Sequence, residues 1–509
     1  MTDAESKQQP PERRSIPALR VNQWRAGWEN VGFSEKAHRR KPEPSFLLCS
    51  IPAVELKSLC GVSRRDATNP TPRAQDLGIQ RQHDEKRSEE ISRYIEYGFP
   101  WSTLSDAQRR SNAYNSMRKP GWLPTAIVVN ILRDIDRRPL GGSVAAEDLI
   151  QIEDAGAIAS LKLPYSAWVP SWRPSNLPPM EIVDGQHRLF AFGGQNTSFE
   201  LPVVAFYGLD ISWQAYLFWT INIKPKRINA SLAFDLYPLL RGEDWLDSTD
   251  GHPVYRETRA QELTEAMWSH PDSPWLHRIN MLGQKDTGGV TQSAWIKTLT
   301  ATFVRQWRSR GSKLGGLFGG RYDDDDEVLG WSRAQQAAFL IYAARALHRA
   351  ITNTNADWAQ DLRQSSVAKN KSDDAAFYGP YALINTDQGV RGFLHVLNDL
   401  CFASASRLAL DKWAADEAAG AADETAVSNA LRGISEQKIA GVLDDIAKNL
   451  ATFDWRSSAA PNLSEEQRLA KLAYRGSGGY LELRRRILEH LVSSSSTLKS
   501  MVERVEALA

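Results

Sequence analysis

The hydrophobic pattern of this 509-residue chain changes about halfway along. Short β-branched runs such as TAIVVNIL (125–132) and LPVVAFYGL (201–209) alternate with helical segments up to about residue 240. Beyond about residue 255 the apolar residues recur at helical spacing, as in GWSRAQQAAFLIYAARALHRAI. The pattern predicts an α/β (α+β) core over residues 45–240 and a mostly α-helical region over residues 241–509.

The first half also carries local signals for individual elements. Residues 45–60 read as a strand, a break at Pro52 and a short helix, and residues 78–98 have the spacing of an amphipathic helix. The segment ISWQAYLFWTIN (211–222) is predicted as a helix from its bulky apolar residues. Residues 100–120 show no clear periodicity, so we interpret them as a loop or insertion.

Composition excludes several classes of protein. With 42% hydrophobic and 24% charged residues the chain is typical of soluble globular proteins. The formal net charge of +1 gives no global field for nucleic acid or membrane, so such binding would need a local patch. The three cysteines form no C-x-x-C pair, and the polar N-terminus does not resemble a signal peptide. A cytoplasmic protein without a disulfide or zinc framework is expected.

Residues 1–44 are rich in proline and basic residues and are predicted to form an N-terminal arm. One interpretation is that the arm binds nucleic acid, because clustered Arg side chains gain affinity when they face phosphates together. The alternative is a solvated tail or a strap that packs on the core. The basic residues in question are Arg13, Arg14, Arg20, Arg25, His38, Arg39, Arg40 and Lys41.

The stretch EIVDGQHRLFAFGG (181–194) predicts a strand end, a tight turn at Asp184-Gly185 and the start of a helix. The first N–H groups of a helix have no intrahelical partner, so an anion could accept hydrogen bonds there. Arg188 could add a bidentate contact to a phosphate, and His187 could donate to a phosphate oxygen or shuttle a proton. Asp184 could orient the loop, bind Mg²⁺ or cap the helix.

A purely structural interpretation of the same residues is equally open. In that case Asp184 caps the helix, Gly185 makes the turn and Arg188 pairs with a carboxylate. The residues by themselves therefore indicate a potential anion site without establishing an enzyme.

Residues 184–188 spell DGQHR, and the chain resembles the DGQHR-domain proteins. That family includes the DndB proteins of DNA phosphorothioation loci and the DpdB proteins of 7-deazaguanine DNA-modification loci. The resemblance extends to DEKRSEEISRYIEYG with the following strand LPTAIVVNI, to INIKPKRINASLAFDL (221–236) and to SPWLHRINMLG (273–283). Together these segments cover about residues 45–300.

The resemblance implies a mixed-sheet core similar to the ParB/sulfiredoxin fold, with a phosphate site at the DGQHR loop. ATP or another nucleoside triphosphate is the expected ligand, with Mg²⁺ held at Asp184. Asp184, His187 and Arg188 are then the candidate catalytic residues, and Glu181 is a further candidate base. The residues expected to bind the nucleotide are Gly185, Gln186, His187, Arg188, Asn222 and Lys224, with Lys226 close by.

Three functions follow as hypotheses. The first is a nucleotide-binding protein, possibly an ATPase, that serves a DNA-modification or phage-defence system together with a partner modification enzyme. The second is a DNA-binding transcriptional regulator of such a locus. The third is a ParB-like nuclease, which would need a metal site made of clustered carboxylates. DNA contact is expected directly or through the partner, an oligomer is possible, and no membrane partner is expected.

Overall fold

The structure is a computed structural model, and the chain divides into two compact units, Met1–Arg227 and Ile228–Ala509. Each unit is described by itself below. The described residues are 12–36, 38–62, 84–138, 142–193, 198–223, 229–240, 244–247, 252–284, 289–307, 314–320, 329–365, 373–413, 419–476 and 478–508.

The first unit is built on a mixed eight-stranded sheet with the order β3-β7-β4-β8-β2-β1-β6-β5. Strand β4 is parallel to β8 and β3 is parallel to β7, while the other neighbours are antiparallel. The strands are β1 (Ser15–Asn22), β2 (Ser45–Pro52), β3 (Cys60–Gly61), β4 (Ile127–Ile131), β5 (Gln151–Ala155), β6 (Ile158–Lys162), β7 (Met180–Asp184) and β8 (Glu200–Tyr207).

Alternation of apolar and polar residues explains why one face of the sheet is buried. In β8 the side chains of Leu201, Val203 and Ala205 are fully buried, while the residues between them are partly exposed. In β7 the first four residues are all buried, which is the pattern of a strand covered on both faces. The helices of this unit are α1 (Ala53–Leu59), α2 (Glu85–Tyr97), α3 (Asp106–Arg110), α4 (Gln186–Phe190) and α5 (Ile211–Ile223).

The N-terminal segment that was predicted as an arm forms strand β1 in the interior of the sheet. β1 lies between β2 and β6, and Leu19 is opposite Leu48 on one side and Ile158 on the other. Ile16 and Ala18 are buried with exposed residues between them, so the segment has a strand period that its basic residues obscured. Residues 15–22 of the segment are therefore a strand of the sheet, which agrees with the alternative of a strap packed on the core.

The basic residues of this segment are mostly bound to protein groups. Arg14 lies 3.0 Å from the buried carboxylate of Glu55, and Arg20 lies 2.9 Å from Asp154. Arg13 donates to two backbone carbonyls, and Arg40 donates to the carboxylate of Asp210 at 2.5 Å. These charges hold the segment on the core, so they do not form the phosphate-facing cluster that a nucleic-acid-binding arm would need.

The structure also adds elements that the sequence pattern did not show. Strand β5 has no alternating pattern in the sequence, because the exposed edge strand QIEDA has no buried side chain to reveal its period. Residues 100–120 contain α3 and two short 3₁₀ turns instead of an unstructured loop. The helix over residues 78–98 begins at Glu85, where the Asp84 side chain accepts a hydrogen bond from the Arg87 N–H.

The second unit is dominated by helices packed around their own apolar core, as the helical pattern predicts. A two-stranded parallel sheet, β9 (Ile279–Asn280) and β10 (Val290–Thr291), accompanies them. The helices are α6 (Ala230–Asp235), α7 (Tyr237–Leu240), α8 (Asp244–Asp247), α9 (Pro253–Ser269), α10 (Gln292–Ala301), α11 (Arg333–Asn353), α12 (Asp357–Gln364), α13 (Ala375–Tyr378), α14 (Asp387–Ala403), α15 (Ala405–Leu408), α16 (Glu424–Ser435), α17 (Lys438–Leu450), α18 (Glu465–Leu472), α19 (Gly479–Ser494) and α20 (Ser496–Leu508).

In the part of the chain that the structure describes, no helix combines the length and the apolar character needed to cross a membrane. The four consecutive aspartates at residues 323–326 lie outside the described residues.

Candidate functional site

The DGQHR segment forms the predicted strand–turn–helix junction. β7 ends at Asp184, Gly185 adopts a left-handed conformation with φ of 97°, and α4 begins at Gln186. A Cβ atom at Gly185 would lie only 2.7 Å from Ile127 Cδ1 and 3.2 Å from Arg188 Nη2. Glycine is therefore needed both for the backbone conformation and for the close approach of the guanidinium group.

Arg188 folds back over this turn and is held in place by three hydrogen bonds. Its Nη1 donates to the carbonyl oxygens of Thr125 and Ala126, at 2.7 and 3.1 Å, just before β4 begins. Its Nη2 donates to Asp184 Oδ2 at 2.6 Å. These contacts fix the plane of the guanidinium while the side chain remains 20% exposed.

Asp184 joins three elements of the unit. Besides Arg188 on α4, its carboxylate accepts a hydrogen bond from Asn222 Nδ2 near the end of α5, at 3.0 Å from Oδ1. The structure thus brings Asn222 to the DGQHR loop. Asp184 is not the N-cap residue of α4, because that position is occupied by Gly185, which has no side chain to accept a hydrogen bond. Of the structural roles considered, pairing of Arg188 with a carboxylate is observed and capping by Asp184 is not.

Gln186 and His187 occupy the first turn of α4. The Gln186 side chain is 5% exposed, and its Nε2 finds no acceptor among the described residues. His187 is half-buried, and its carbonyl oxygen accepts a hydrogen bond from Ser88 Oγ on α2 at 3.3 Å. Lys224 and Lys226, the remaining predicted contributors, lie outside the described residues.

Glu181, a candidate base, is hydrogen-bonded to Arg138 and Gln214. Arg138 donates from Nε and Nη2 to its two carboxylate oxygens, each at 2.5 Å, and Gln214 Nε2 lies 3.2 Å from Oε2. Burial opposes the charged form of Arg138, but the bidentate bond to Glu181 raises the pKa of Arg138 above its ordinary value. This buried pair is a structural ion pair that anchors β7.

The predicted Mg²⁺ site at Asp184 has few ligands. Both oxygens of Asp184 accept hydrogen bonds, and the described part of the chain contains no group of three or more His, Cys, Asp or Glu side chains that could hold a metal ion. A divalent ion at this loop would therefore take most of its ligands from a bound phosphate and from water. The carboxylate cluster that the nuclease hypothesis needs is likewise absent from the described residues.

A cleft in the same unit was missed from the sequence. It is a cleft of 690 Å³ between the C-terminal end of α2 and residues 101–120, called the basic cleft below. The only sequence signal was a set of Arg and Lys residues near aromatic side chains in a segment without periodicity. The lining includes Tyr97, Trp101, Arg109, Arg110, Arg118 and Lys119.

Comparison with protein-family models, with curated proteins and with solved structures finds no match. The chemistry of the DGQHR loop must therefore be argued from its own residues. Arg188 and Asn222 neutralise and orient Asp184, and Arg188 and the buried Gln186 amide carry further N–H groups. A set dominated by hydrogen-bond donors suits an anion better than a metal ion.

Proposed function

We propose that this chain is a nucleotide-binding protein of the DGQHR-domain type, with a core similar to the ParB/sulfiredoxin fold. The phosphates of ATP or another nucleoside triphosphate would be bound at residues 184–188. In this proposal the protein serves a DNA-modification system, of the phosphorothioate or 7-deazaguanine kind, or a phage-defence system. Nucleotide binding would control a partner modification enzyme.

The observation that carries the proposal is the fixed guanidinium of Arg188. An arginine side chain has five N–H groups, and three are used by Asp184, Thr125 and Ala126. Two therefore remain for a ligand, as judged from the described residues. Because the group is already held, little side-chain entropy is lost when a phosphate binds. The Gln186 Nε2 group, which has no acceptor among the described residues, is a second donor at the same turn.

Mg²⁺ bound to the triphosphate would neutralise part of its charge, while this chain would position the phosphates. Three groups were considered as the base for hydrolysis. Asp184 and Glu181 have both carboxylate oxygens in hydrogen bonds. His187 is the first residue to test for proton transfer, because an imidazole can both accept and donate a proton near neutral pH.

The test is calorimetric titration of the full chain with ATP, CTP and GTP in the presence of Mg²⁺. Arg188→Ala should weaken binding about 10- to 100-fold, since a charge-assisted hydrogen bond is worth about 1.5–3 kcal/mol. Arg25→Ala is the matched control, because the Arg25 side chain is exposed and forms no hydrogen bond or ion pair with a described residue. Its affinity should equal that of the wild type.

Two results would contradict the proposal. One is the absence of binding to all three nucleotides by a wild-type chain that melts cooperatively. The other is an Arg188→Ala chain that binds as tightly as Arg25→Ala. Thermal melting of each variant shows whether a lost signal reflects lost binding or lost folding, because Arg188 also holds the loop to β4.

A further inference from the structure

The basic cleft is a rigid feature of the first unit. Gly98, with φ of 66°, ends α2, and a Cβ atom there would lie 1.8 Å from the Lys119 carbonyl oxygen. On the other side of the segment a Cβ at Gly121 would lie 2.0 Å from the Tyr94 carbonyl oxygen. Residues 119–121 therefore pack directly against the backbone at the C-terminal end of α2. Such close packing fixes the walls of the cleft.

Two of its arginines lie over aromatic rings. The Arg109 guanidinium carbon is 4.7 Å from the centre of the Tyr97 ring, and Arg109 also pairs with Asp106 and donates to the Leu104 carbonyl. The Arg118 guanidinium carbon lies 4.4 Å from the centre of the Trp101 ring, and the Arg118 side chain makes no hydrogen bond or ion pair with a described residue. The Arg109 side chain is thus engaged by neighbouring protein groups. In Arg118 the N–H donors and the guanidinium face that is not stacked on Trp101 are available to a ligand.

The lining has an excess of positive charge. Four cationic residues, Arg109, Arg110, Arg118 and Lys119, stand against two carboxylates, which leaves +4 − 2 = +2. Arg110 and Lys119 are exposed, and neither forms an ion pair or a side-chain hydrogen bond with a described residue. Holding like charges together without partners raises their mutual repulsion, and an anionic ligand would relieve it.

The polar groups of the cleft also indicate what kind of anion fits. Sites for small molecules place a few buried polar groups that read the ligand. Here the free cations are exposed at the rim, and none of the lining residues is among the described residues with a buried, unpaired polar side-chain atom. Exposed cationic side chains next to a guanidinium that is stacked on an aromatic ring suit a ligand with several phosphates in a row and with unpaired bases.

We propose that the basic cleft binds a single strand of nucleic acid. Arg110, Arg118 and Lys119 contact successive backbone phosphates or, in the case of Arg118, stack on a base with the outer face of the guanidinium. A concave cleft of this kind admits an unpaired strand more readily than the convex surface of a duplex. The site is separate from the DGQHR loop, and the proposal does not depend on nucleotide binding there.

The experiment measures fluorescence anisotropy of a labelled 20-nucleotide DNA strand, titrated with the full chain at several KCl concentrations. The test variant is Arg110→Gln/Arg118→Gln/Lys119→Gln. The matched control is Arg25→Gln/Lys36→Gln/Arg39→Gln, which removes the same charge from exposed residues of the N-terminal segment. The wild type and the control should bind alike. The test variant should lose at least tenfold in affinity, and its plot of log K against log salt should be less steep by about 2.

Several results would overturn the proposal. They are an unchanged affinity in the test variant, an equal loss in the control variant, and tighter binding of the wild type to a duplex of the same sequence. A fourth is loss of ATP binding in the test variant, which would make the cleft a nucleotide site. The separate variant Arg188→Ala should keep strand binding, so failure of the nucleotide proposal and failure of this one give different patterns. The test substitutions are at exposed ends of side chains, and equal melting temperatures would establish that the variants fold.

Discussion

At the scale of single residues, Gln186 is the most informative position in the DGQHR loop. Its side chain is 5% exposed, yet its Nε2 group finds no acceptor among the described residues. A buried donor without a partner costs about 1–3 kcal/mol, so a loop with a purely structural role would be expected to carry an apolar residue here. The unpaired Gln186 donor is consistent with a group that forms its hydrogen bond only when a ligand is bound.

Gln186→Met should therefore separate stability from binding. Met has a similar size and no unsatisfied polar group, so the melting temperature should not fall. If it rises, the free energy of unfolding should increase by roughly 1 kcal/mol or more. Nucleotide affinity should fall, since one donor to the phosphates is lost. Thermal melting and calorimetry of the same preparation measure both. A variant that is less stable and binds normally would show that the amide has a structural partner.

The residues of this loop were predictable in part. The turn at Gly185 and the pairing of Arg188 with a carboxylate follow from residue types in sequence order, and both are observed. The bonds from Arg188 to the carbonyls of Thr125 and Ala126 were not predictable. They join a side chain to backbone carbonyl groups about sixty residues away, and a carbonyl group has no signature in the sequence.

At the scale of elements, α14 carries a row of half-buried polar side chains. Gln388, Arg391 and His395 each have one buried side-chain atom without a hydrogen-bond partner among the described residues. The spacing of three and four residues places them on one side of the helix. His395 stacks on Tyr480 of α19, with 5.0 Å between the ring centres. Burial, together with the charges of Arg484, Arg391 and Arg305, lowers the pKa of His395 to about 3.

This depressed pKa predicts a loss of stability in acid. The unfolded chain takes up a proton near pH 6.5, whereas folded His395 stays neutral until about pH 3. Stability from this group is therefore complete above pH 6.5 and falls as the pH drops from 6.5 towards 3. At pH 5 the loss is about 2 kcal/mol, because one pKa unit corresponds to about 1.4 kcal/mol.

The measurement is urea unfolding of wild type and His395→Gln at pH 5.0 and 7.5. The difference between the two pH values should be about 2 kcal/mol smaller in the variant, because glutamine does not titrate. His395→Asn is a second variant whose replacement side chain does not titrate, and it should show the same reduction. An equal pH dependence in both variants and the wild type would show that folding does not lower the pKa of His395.

Some elements can be recognised from the residue pattern of their own segment, whereas others form only by pairing with strands that are distant in sequence. Helices such as α11 and α17 are long, periodic and capped or amphipathic, and the sequence predicts them directly. β1 and β5 were missed because their exposed positions carry charged or polar residues and their pairing partners are distant in sequence. The basic cleft was missed for a similar reason, since the aromatic rings under its arginines come from both α2 and residues 101–120.

At the scale of the whole molecule, each unit has its own buried core, and the three cysteines are distributed between them. Cys49 and Cys60 lie in the core of the first unit and Cys401 in that of the second. Burial raises the pKa of Cys49 and of Cys401 to about 12, and it raises that of Cys60 as well. The thiolate is the reactive form, so all three are expected to be inert in the native protein.

Thiol labelling during a urea ramp should therefore report the opening of each unit separately. In native buffer labelling should be at least a hundredfold slower than for a free thiol, since the small thiolate fraction is also shielded. Mass spectrometry of the labelled peptides then shows whether Cys49 and Cys60 or Cys401 react first as urea rises. Rapid labelling of any of the three in native buffer would contradict the buried placement.

The strand order has a consequence for the order of events during synthesis. β2 is complete at Pro52, but one of its two neighbours in the sheet is β8, and Pro52 pairs with Glu200. At about 5–20 residues per second the ribosome needs roughly 7 to 30 s to make the intervening chain. β1 must wait in the same way for β6. For that time the nascent chain carries unpaired strand edges, which are the surfaces that chaperones protect and that aggregate when left alone.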